Sequence, residues 1–247
     1  SVFWQTAALE SQAAALAVAA SRAVSAAPRI ALVVAEGAEF SSLASAALSA
    51  FEDRKQTLVA DHRYDPEKFA PAALAESLSA PAAVDAIVFL GPGRDQAALL
   101  TALARIGQKP FSYSLGAYAR EELFSLPAGF GGRLYLAFPG RPFDANAHAA
   151  ERWRRLAQAK GLTTADLSSQ GSALAAFELL TDALEKAGRD LDRDRLVAEL
   201  EKRIRILTPY TPPLAFGPGR RLGARGAYLV VIDAERHGFV PVGEWVG

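Results

Sequence analysis

The stretch "VDAIVFLGPGRDQAALLTALARIG" at residues 84–107 decides the fold class. Its first half is a short apolar run that is typical of a buried strand, and its second half has apolar residues at helical spacing. Gly-Pro-Gly-Arg at 91–94 separates the two halves, and Gly107 closes the helix. A strand, a tight glycine turn and a helix in this order predict one βα unit of a parallel sheet.

The same rhythm continues on both sides of this unit. Further strands are predicted near residues 29–36, 56–64, 110–116 and 132–139, and helices at 7–26, 40–54, 67–79 and 120–126. Strands and helices that alternate at this spacing predict right-handed crossovers between parallel strands. The expected fold class is therefore α/β, with a three-layer, Rossmann-like lobe that has a mainly parallel sheet and helices on both faces.

The pattern changes after Pro139. Three helical patterns follow without a strand between them, at about 146–160, 168–187 and 192–204. Residues 208–221 are rich in proline and glycine and cannot form a helix. The last segment, from about 226, predicts a strand, a turn and a strand. We therefore expect a parallel sheet that ends in an antiparallel pair.

The composition is that of a globular protein and excludes several classes of function. Of the 247 residues, 51% are apolar, and 27 basic side chains balance 27 acidic ones. This balance gives no global field that would favour nucleic acid. Cysteine is absent, which excludes disulfides and thiolate metal sites. No run approaches the roughly 20 apolar residues of a membrane span.

The sequence contains no recognisable catalytic motif. A Walker A loop, a G-x-S-x-G elbow and an H-E-x-x-H pair are all absent. The GPGRDQ segment has Gln96 where a dinucleotide-binding fingerprint needs its third glycine. His62, His148 and His237 lie in different segments of the chain. We therefore expect no catalytic residue, no cofactor and no metal.

Ligand binding is expected at the carboxyl edge of the predicted sheet, where open α/β folds bind small molecules. Four loops open there, at 36–42, 91–94, 116–120 and 139–143. The loop at 91–94 also leads into a helix N-terminus, whose free N–H groups favour anions. For any single loop the alternative is an ordinary turn, with Arg94 as a solvated charge.

A second Gly-Pro-Gly-Arg, at 217–220, precedes a strand instead of a helix. It is interpreted as a surface turn that leads into this strand. Arg220, Arg221 and Arg225 are expected to lie in solvent.

The order of these elements resembles the type I periplasmic solute-binding proteins, the substrate-binding components of ABC importers in the branched-chain amino-acid-binding family. The segments that are similar to this family are "SVFWQTAALESQAAALA" (1–17), "IALVVAEGAEFSSLASAALSAFE" (30–52), the opening stretch, "ALAAFELLTDALEKAGRDLDRDRLVAELE" (173–201) and "PPLAFGPGRRLGARGAYLVVID" (212–233). Each segment alone is unspecific, but their order over nearly the whole chain is specific.

The resemblance implies a periplasmic, two-lobed clamshell that closes on a small solute and delivers it to an ABC permease in the membrane. By this resemblance, the usual first part of the N-terminal lobe would be missing. Residues 1–138 and 210–247 would form the second, α/β lobe, and 139–209 would be a helical crossover segment left from the first lobe. The apolar faces of these helices would need a partner, either the missing lobe or a second copy in a homo-oligomer.

The resemblance also implies the ligand-binding residues. Phe40 matches an aromatic position against the ligand, and Gly93 falls near a second one. Gly116 falls where amino-acid binders often place a carboxylate for the ligand's ammonium, and Tyr118 follows two residues later. With Arg94 nearby, this departure favours a solute with a carboxylate.

The predicted ligand is thus an amino acid or a small organic or aromatic acid, and the predicted site is Phe40, Gly93, Arg94 and Tyr118. The alternative function is a ligand-sensing or accessory domain of the same fold. An enzyme with an unrecognised site is a third interpretation.

Overall fold

The structure is a computed structural model that describes residues 2–22, 27–119, 121–140, 147–162, 167–202, 206, 208, 210–233 and 238–247. The chain forms two compact units. The first comprises Ser1–Ala8 and Pro139–Arg225, and the second comprises Leu9–Phe138 and Gly226–Gly247. Residues 1–8 and 210–225 thus group with the helical unit, and the assignment of the units to lobes stays a prediction.

The second unit contains a seven-stranded mixed sheet in the order β2-β1-β3-β4-β5-β6-β7. The strands are β1 (Ile30–Ala35), β2 (Leu58–Tyr64), β3 (Ala86–Leu90), β4 (Phe111–Leu115), β5 (Leu134–Phe138), β6 (Ala227–Asp233) and β7 (Gly238–Val246). The first five are parallel, whereas β6 and β7 join them as antiparallel strands. The predicted fold class is confirmed, including the antiparallel pair at the end.

Four helices and two short 3₁₀ turns accompany the first five strands. The helices are α1 (Leu9–Ala20), α2 (Ala38–Asp53), α3 (Pro71–Ser79) and α4 (Gly93–Arg105), and the 3₁₀ turns are Gly116–Tyr118 and Glu121–Ser125. The chain moves in one direction along the sheet from β1 to β2 and in the other from β2 to β3 and β4. Because crossovers are right-handed, α2 covers one face and α3 and α4 cover the other. The packing of α1 on α2 and of α3 on α4 agrees with this arrangement.

The burial of the strand residues explains why the strands could be predicted from the sequence. Every residue of β1 and β3 is buried, so these strands are continuous apolar runs. The edge strand β2 instead alternates, with Val59, Asp61 and Arg63 on its more exposed side. Asp61 and Arg63 form an ion pair with an N–O distance of 3.0 Å. Charges on an edge strand disfavour pairing with another chain.

The first turn of α4 is tied to strands of the sheet through buried side chains. Gln96, which is only 2% exposed, donates from Nε2 to Ser112 Oγ at 3.0 Å. Its Oε1 accepts from Ser114 Oγ at 2.9 Å. Both serines are in β4. Gln96 therefore serves packing at the position where a nucleotide-binding loop would need glycine.

The described part of the first unit is mainly helical, with α5 (Ala147–Lys160), α6 (Leu167–Ala187) and α7 (Arg193–Glu201). The predicted end of the third helix, at 203–204, lies outside the described residues. The only β pairing in the part of this unit that the structure describes consists of isolated bridges, such as the one between Ile206 and Leu214. None of the described helices in the chain is long and apolar enough to cross a bilayer.

The helices of the first unit leave part of their apolar surface uncovered. Among the large apolar side chains of these helices, Trp153 and Leu200 are buried, Leu156, Leu174, Leu184 and Leu196 are half-buried, and Phe177 and Leu180 are exposed. The exposed fractions are 65% for Phe177 and 45% for Leu180. Trp4, in the same unit, is 61% exposed. Such a group of large apolar side chains on a surface is typical of an interaction face.

We expect this apolar face to make the chain associate or bind apolar dyes. The double variant Phe177→Ser, Leu180→Ser should lower both dye binding and the apparent mass in sizing experiments, with helicity preserved, because it removes the exposed apolar area. The matched control is Val59→Ser, Ile106→Ser, which changes two comparably exposed residues of the other unit. A parent chain that is monomeric and binds no dye contradicts the prediction.

Candidate functional site

The carboxyl ends of the five parallel strands meet at one edge of the sheet in the second unit. The connection after β1 leads to β2, whereas the connection after the neighbouring strand β3 leads in the opposite direction, to β4. Such a point, where the strand order reverses, is the usual place for a ligand in open α/β sheets. Of the loops predicted to open there, residue 120 and residues 141–143 lie outside the described residues.

Two of the predicted site residues are in direct contact at this edge. Phe40 is in the first turn of α2 and is buried, and Tyr118 ends the 3₁₀ turn after β4 and is half-buried. Their ring centroids are 5.2 Å apart, and the ring planes meet at 53°. Tilted rings at this separation attract each other. The pair lies where the loops after β1 and β4 come together.

Carboxylates lie near this ring pair. Burial raises the pKa of the Tyr118 hydroxyl, and the negative charges of Glu39 and Glu10 raise this pKa further. Ser42 Oγ donates to Glu10 Oε1 at 3.2 Å, which connects α2 to α1. Glu39 directly precedes Phe40 in the sequence, whereas Glu10 is far from Tyr118 along the chain and comes near it only when α1 packs on α2.

Arg94 forms an ion pair with its neighbour in the sequence. Its Nε lies 3.3 Å from Asp95 Oδ1, and its side chain is 68% exposed. Asp95 is buried and accepts from the Tyr64 hydroxyl at 3.2 Å. Burial, followed by the charge of Asp95, raises the pKa of Tyr64. The pairing with Asp95 is what the alternative interpretation of Arg94, as an ordinary surface charge, predicts.

An open cavity of about 1030 Å³ lies beside Arg94, between α3, α4 and the 3₁₀ turn Glu121–Ser125. The lining residues are Pro71, Ala72, Arg94, Ala97, Ala98, Thr101, Ala102, Arg105, Glu121, Glu122 and Ser125. Neither Phe40 nor Tyr118 is among these described residues. The structure thus brings the two rings together and places Arg94 at a different cavity, and the assignment of all four residues to one solute site stays a prediction.

The glycines of the first GPGR loop permit close packing. Gly91 follows β3, and a Cβ at this position would lie 2.5 Å from Tyr64 Oη and 3.2 Å from the Cβ of Ala35. Gly93 is buried and is the first residue of α4. Asp95 and Gln96 both direct their backbone N–H to Pro92 O, at 3.0 and 3.2 Å. The loop is therefore compact, and its conformation has a structural cause apart from any ligand.

Phe138 is a residue at this edge that the sequence analysis missed. It ends β5, is half-buried, and its ring lies against Gly116. A Cβ at Gly116 would lie 2.5 Å from Phe138 Cε2. The position where the family resemblance leads us to expect a carboxylate is therefore covered by an aromatic ring. The pairing of β4 with β5 could be predicted from the sequence, but the packing of the Phe138 ring on Gly116 could not.

The second GPGR forms the predicted turn, with N–H···O hydrogen bonds of 3.1 and 2.9 Å between Gly217 and Arg220. The expectation that its arginines all lie in solvent is wrong for Arg221. Arg221 Nη2 lies 2.6 Å from Glu201 Oε1, and its guanidinium lies 4.4 Å from the centre of the Phe3 ring. A flat guanidinium can stack on an aromatic ring while it pairs with a carboxylate, which favours partial burial. Arg221 is therefore a packing residue.

In the part of the chain that the structure describes, no cluster of three or more His, Asp or Glu side chains could hold a metal ion. Of the three histidines, His237 and the side chain of His148 lie outside the described residues. The residues that remain for a site at this edge are aromatic rings, carboxylates and Arg94. These groups can bind and orient a small molecule.

A family model described as "periplasmic binding protein" matches residues 2–237, and the chain belongs to this family. The family is one of binding proteins, and this membership agrees with the prediction that the chain is not an enzyme. No curated protein sequence matches the chain.

Solved structures share the fold at low sequence identity. A branched-chain amino acid ABC transporter protein from Thermus thermophilus with bound valine is 17% identical, with a TM-score of 0.69, over 98% of this chain and 66% of that one. A fatty acid ABC transporter substrate-binding protein from Thermomonospora curvata is 17% identical, with a TM-score of 0.71, over 98% and 63%.

A solute-binding protein of an ABC transporter from Rhodopseudomonas palustris BisB5, in complex with 3,4-dihydroxy benzoic acid, is 15% identical, with a TM-score of 0.63, over 98% and 66%. The chain therefore spans slightly less than two thirds of the length of these relatives. At such identities the likeness shows the fold alone.

The contact between Gly91 and Tyr64 makes a testable prediction for the loop. Gly91→Ala should lower the free energy of unfolding by about 1–3 kcal/mol, because the added methyl overlaps the Tyr64 hydroxyl. In a Tyr64→Phe background the same substitution should cost less, since the nearest atom is gone. Denaturant unfolding measures both values. Gly131→Ala is the matched control, because a Cβ there meets no atom within 4 Å. Equal penalties in the two backgrounds would contradict the packing described.

Proposed function

We propose that the chain is a periplasmic solute-binding module that binds a small molecule and delivers it to an ABC permease in the membrane. The observation that carries the proposal is the pair of rings, Phe40 and Tyr118, at the carboxyl edge of a parallel sheet. Family membership supports it, and so do the importer proteins that share the fold. These relatives do not favour the alternative of a sensory or accessory domain.

We propose an amino acid or a small organic or aromatic acid as the solute. The relatives bind valine, a fatty acid and 3,4-dihydroxy benzoic acid by their descriptions, so the fold accepts chemically different acids. In this chain Phe40 and Tyr118 would pack on the apolar part of the solute. A carboxylate beside Glu10 and Glu39 would be repelled, and the proposed orientation therefore directs it towards Arg94 and the N-terminus of α4.

The proposal includes a partner for the helical unit. Phe177 and Leu180 are exposed on α6, in a unit whose described β structure is limited to isolated bridges. The solved relatives are about half as long again as this chain, which supports a further α/β layer as the cover for this face. In this proposal residues 139–209 belong to a first lobe, and the sheet of the second unit forms the second lobe. A homo-oligomer is the other possible cover.

The ring pair is tested by direct binding measurements on this chain. Isothermal titration calorimetry with valine, octanoate and 3,4-dihydroxybenzoate should find at least one ligand. Phe40→Ala should then weaken its binding about ten- to a hundredfold, since a buried aromatic contact contributes roughly 1–3 kcal/mol. The matched control is Phe111→Ala, at the amino end of β4, which should leave affinity unchanged. Equal affinities for parent and Phe40→Ala would remove the ring pair from the site.

The role of Arg94 is tested separately. If it holds the anionic group, Arg94→Ala should weaken binding of an acid about tenfold or more, because a charge-assisted hydrogen bond is worth roughly 1.5–3 kcal/mol. Arg54→Ala is the matched control, since it removes an exposed arginine at the C-terminal end of α2, away from the cavity beside Arg94. An unchanged affinity in Arg94→Ala would contradict a role of Arg94 in ligand binding. The GPGR loop would then be a structural turn, and Arg94 would serve only the ion pair with Asp95.

A further inference from the structure

The packing of Phe138 on Gly116 sets the chemistry of one part of the carboxyl edge. Gly116 begins the turn after β4, and Phe138 is the last residue of β5, the neighbouring strand. A Cβ on Gly116 would meet three ring carbons of Phe138 at 2.5, 2.8 and 2.8 Å, which is closer than any real contact. The ring therefore occupies the space that a side chain at 116 would need.

The Phe138 ring also packs against another aromatic ring. Its centroid lies 5.1 Å from that of Phe239 in β7, with 53° between the ring planes. Phe239 in turn lies 5.6 Å from Phe124. A ring held in this way by neighbours loses little freedom when a ligand packs on it. Phe138 as a residue is nevertheless only half-buried.

Phe138 also lies close to the ring pair along the edge. Gly116, against which it packs, is two residues before Tyr118, and both belong to the same 3₁₀ turn. This turn packs against β5, the strand that ends in Phe138. Tyr118 contacts Phe40 on the one side, and Gly116 contacts Phe138 on the other. The turn thus connects two aromatic groups at the carboxyl ends of β4 and β5.

We propose that Phe138 is a specificity-determining residue of the solute site and selects a solute that carries an aromatic ring. The inference rests on the proposed function and adds the substrate class. Among the described residues, Gly116 and the Phe138 ring that covers it offer no charged or hydrogen-bonding side chain to a polar group. Aromatic faces and edges favour another ring, which packs on them in tilted or offset geometry.

The test compares two probes on the parent chain and on variants of Phe138. The probes are 3,4-dihydroxybenzoate, which is aromatic, and valine, which is aliphatic and carries an ammonium group. The parent should prefer 3,4-dihydroxybenzoate in isothermal titration calorimetry. Phe138→Ala should reduce this affinity about tenfold or more and leave that for valine unchanged within about twofold. Phe138→Leu keeps most of the apolar volume and should also lose the preference, because the ring is gone.

A second pair of variants tests whether the ring is the reason for glycine at 116. Gly116→Asp alone should lower the melting temperature, because the new side chain overlaps the ring. In the Phe138→Ala background the same substitution should be tolerated, since the space is free, and it should raise the affinity for valine by placing a carboxylate beside its ammonium group. A Gly116→Asp penalty that is equal in both backgrounds overturns the packing argument.

The outcomes separate this inference from the proposed function. If the parent chain binds none of 3,4-dihydroxybenzoate, valine and octanoate, the proposed function is contradicted. The inference about Phe138 is then contradicted as well. A parent chain that binds a probe, with the same preference in Phe138→Ala and Phe138→Leu, supports the function and overturns the inference alone. If circular dichroism shows that Phe138→Ala does not fold, the ligand preference of Phe138→Leu is the test, since leucine changes the side-chain volume least.

Discussion

Two side-chain bridges fix the first turn of α4, and the arrangement of the carboxyl edge depends on them. Gln96 is bonded to Ser112 and Ser114 of β4, and Asp95 accepts from Tyr64 at the end of β2. The strand before the helix, β3, lies between β1 and β4. The bridges thus hold the helix to strands on both sides of its own. Buried polar groups that are fully paired specify one arrangement, because any shift of the helix would leave them unpaired.

The sheet could be predicted from the sequence because its physical causes are local. In β1 and β3 every residue is buried, so apolar runs mark the strands directly. Glycine and proline mark the turns because few other residues adopt the required backbone. The burial of Arg221, in contrast, has causes that are distant in the sequence. Its sequence context is a solvent-exposed turn, but Glu201 and Phe3, which partly bury it, come from distant segments.

The candidate site was predictable only in its location. The rule for carboxyl strand ends led to the edge of the sheet, and the family resemblance led to Phe40 and Tyr118, which do contact each other. Phe138 escaped notice because a phenylalanine at a strand end is indistinguishable in sequence from an ordinary core residue. Phe138 matters because its ring packs on Gly116, which has no Cβ. This contact joins β5 to the turn after β4 and is not visible in the sequence of either segment. Glu10 was missed for the same reason, since α1 brings it to Tyr118 only through packing on α2.

Charge and aromatic packing make unequal contributions to the selectivity we propose for this edge. Arg94 already has a partner in Asp95, so an anionic ligand would have to compete with an existing ion pair. Glu10 and Glu39 act in the same direction, because their field near Tyr118 opposes a second negative charge. Packing on the aromatic rings requires neither the loss of an ion pair nor the approach of like charges. Phe40 and Phe138 are also held in place by neighbouring rings before a ligand binds. A solute would therefore gain more from a ring that packs on preorganised rings than from its charge, which favours aromatic over aliphatic acids of the same charge.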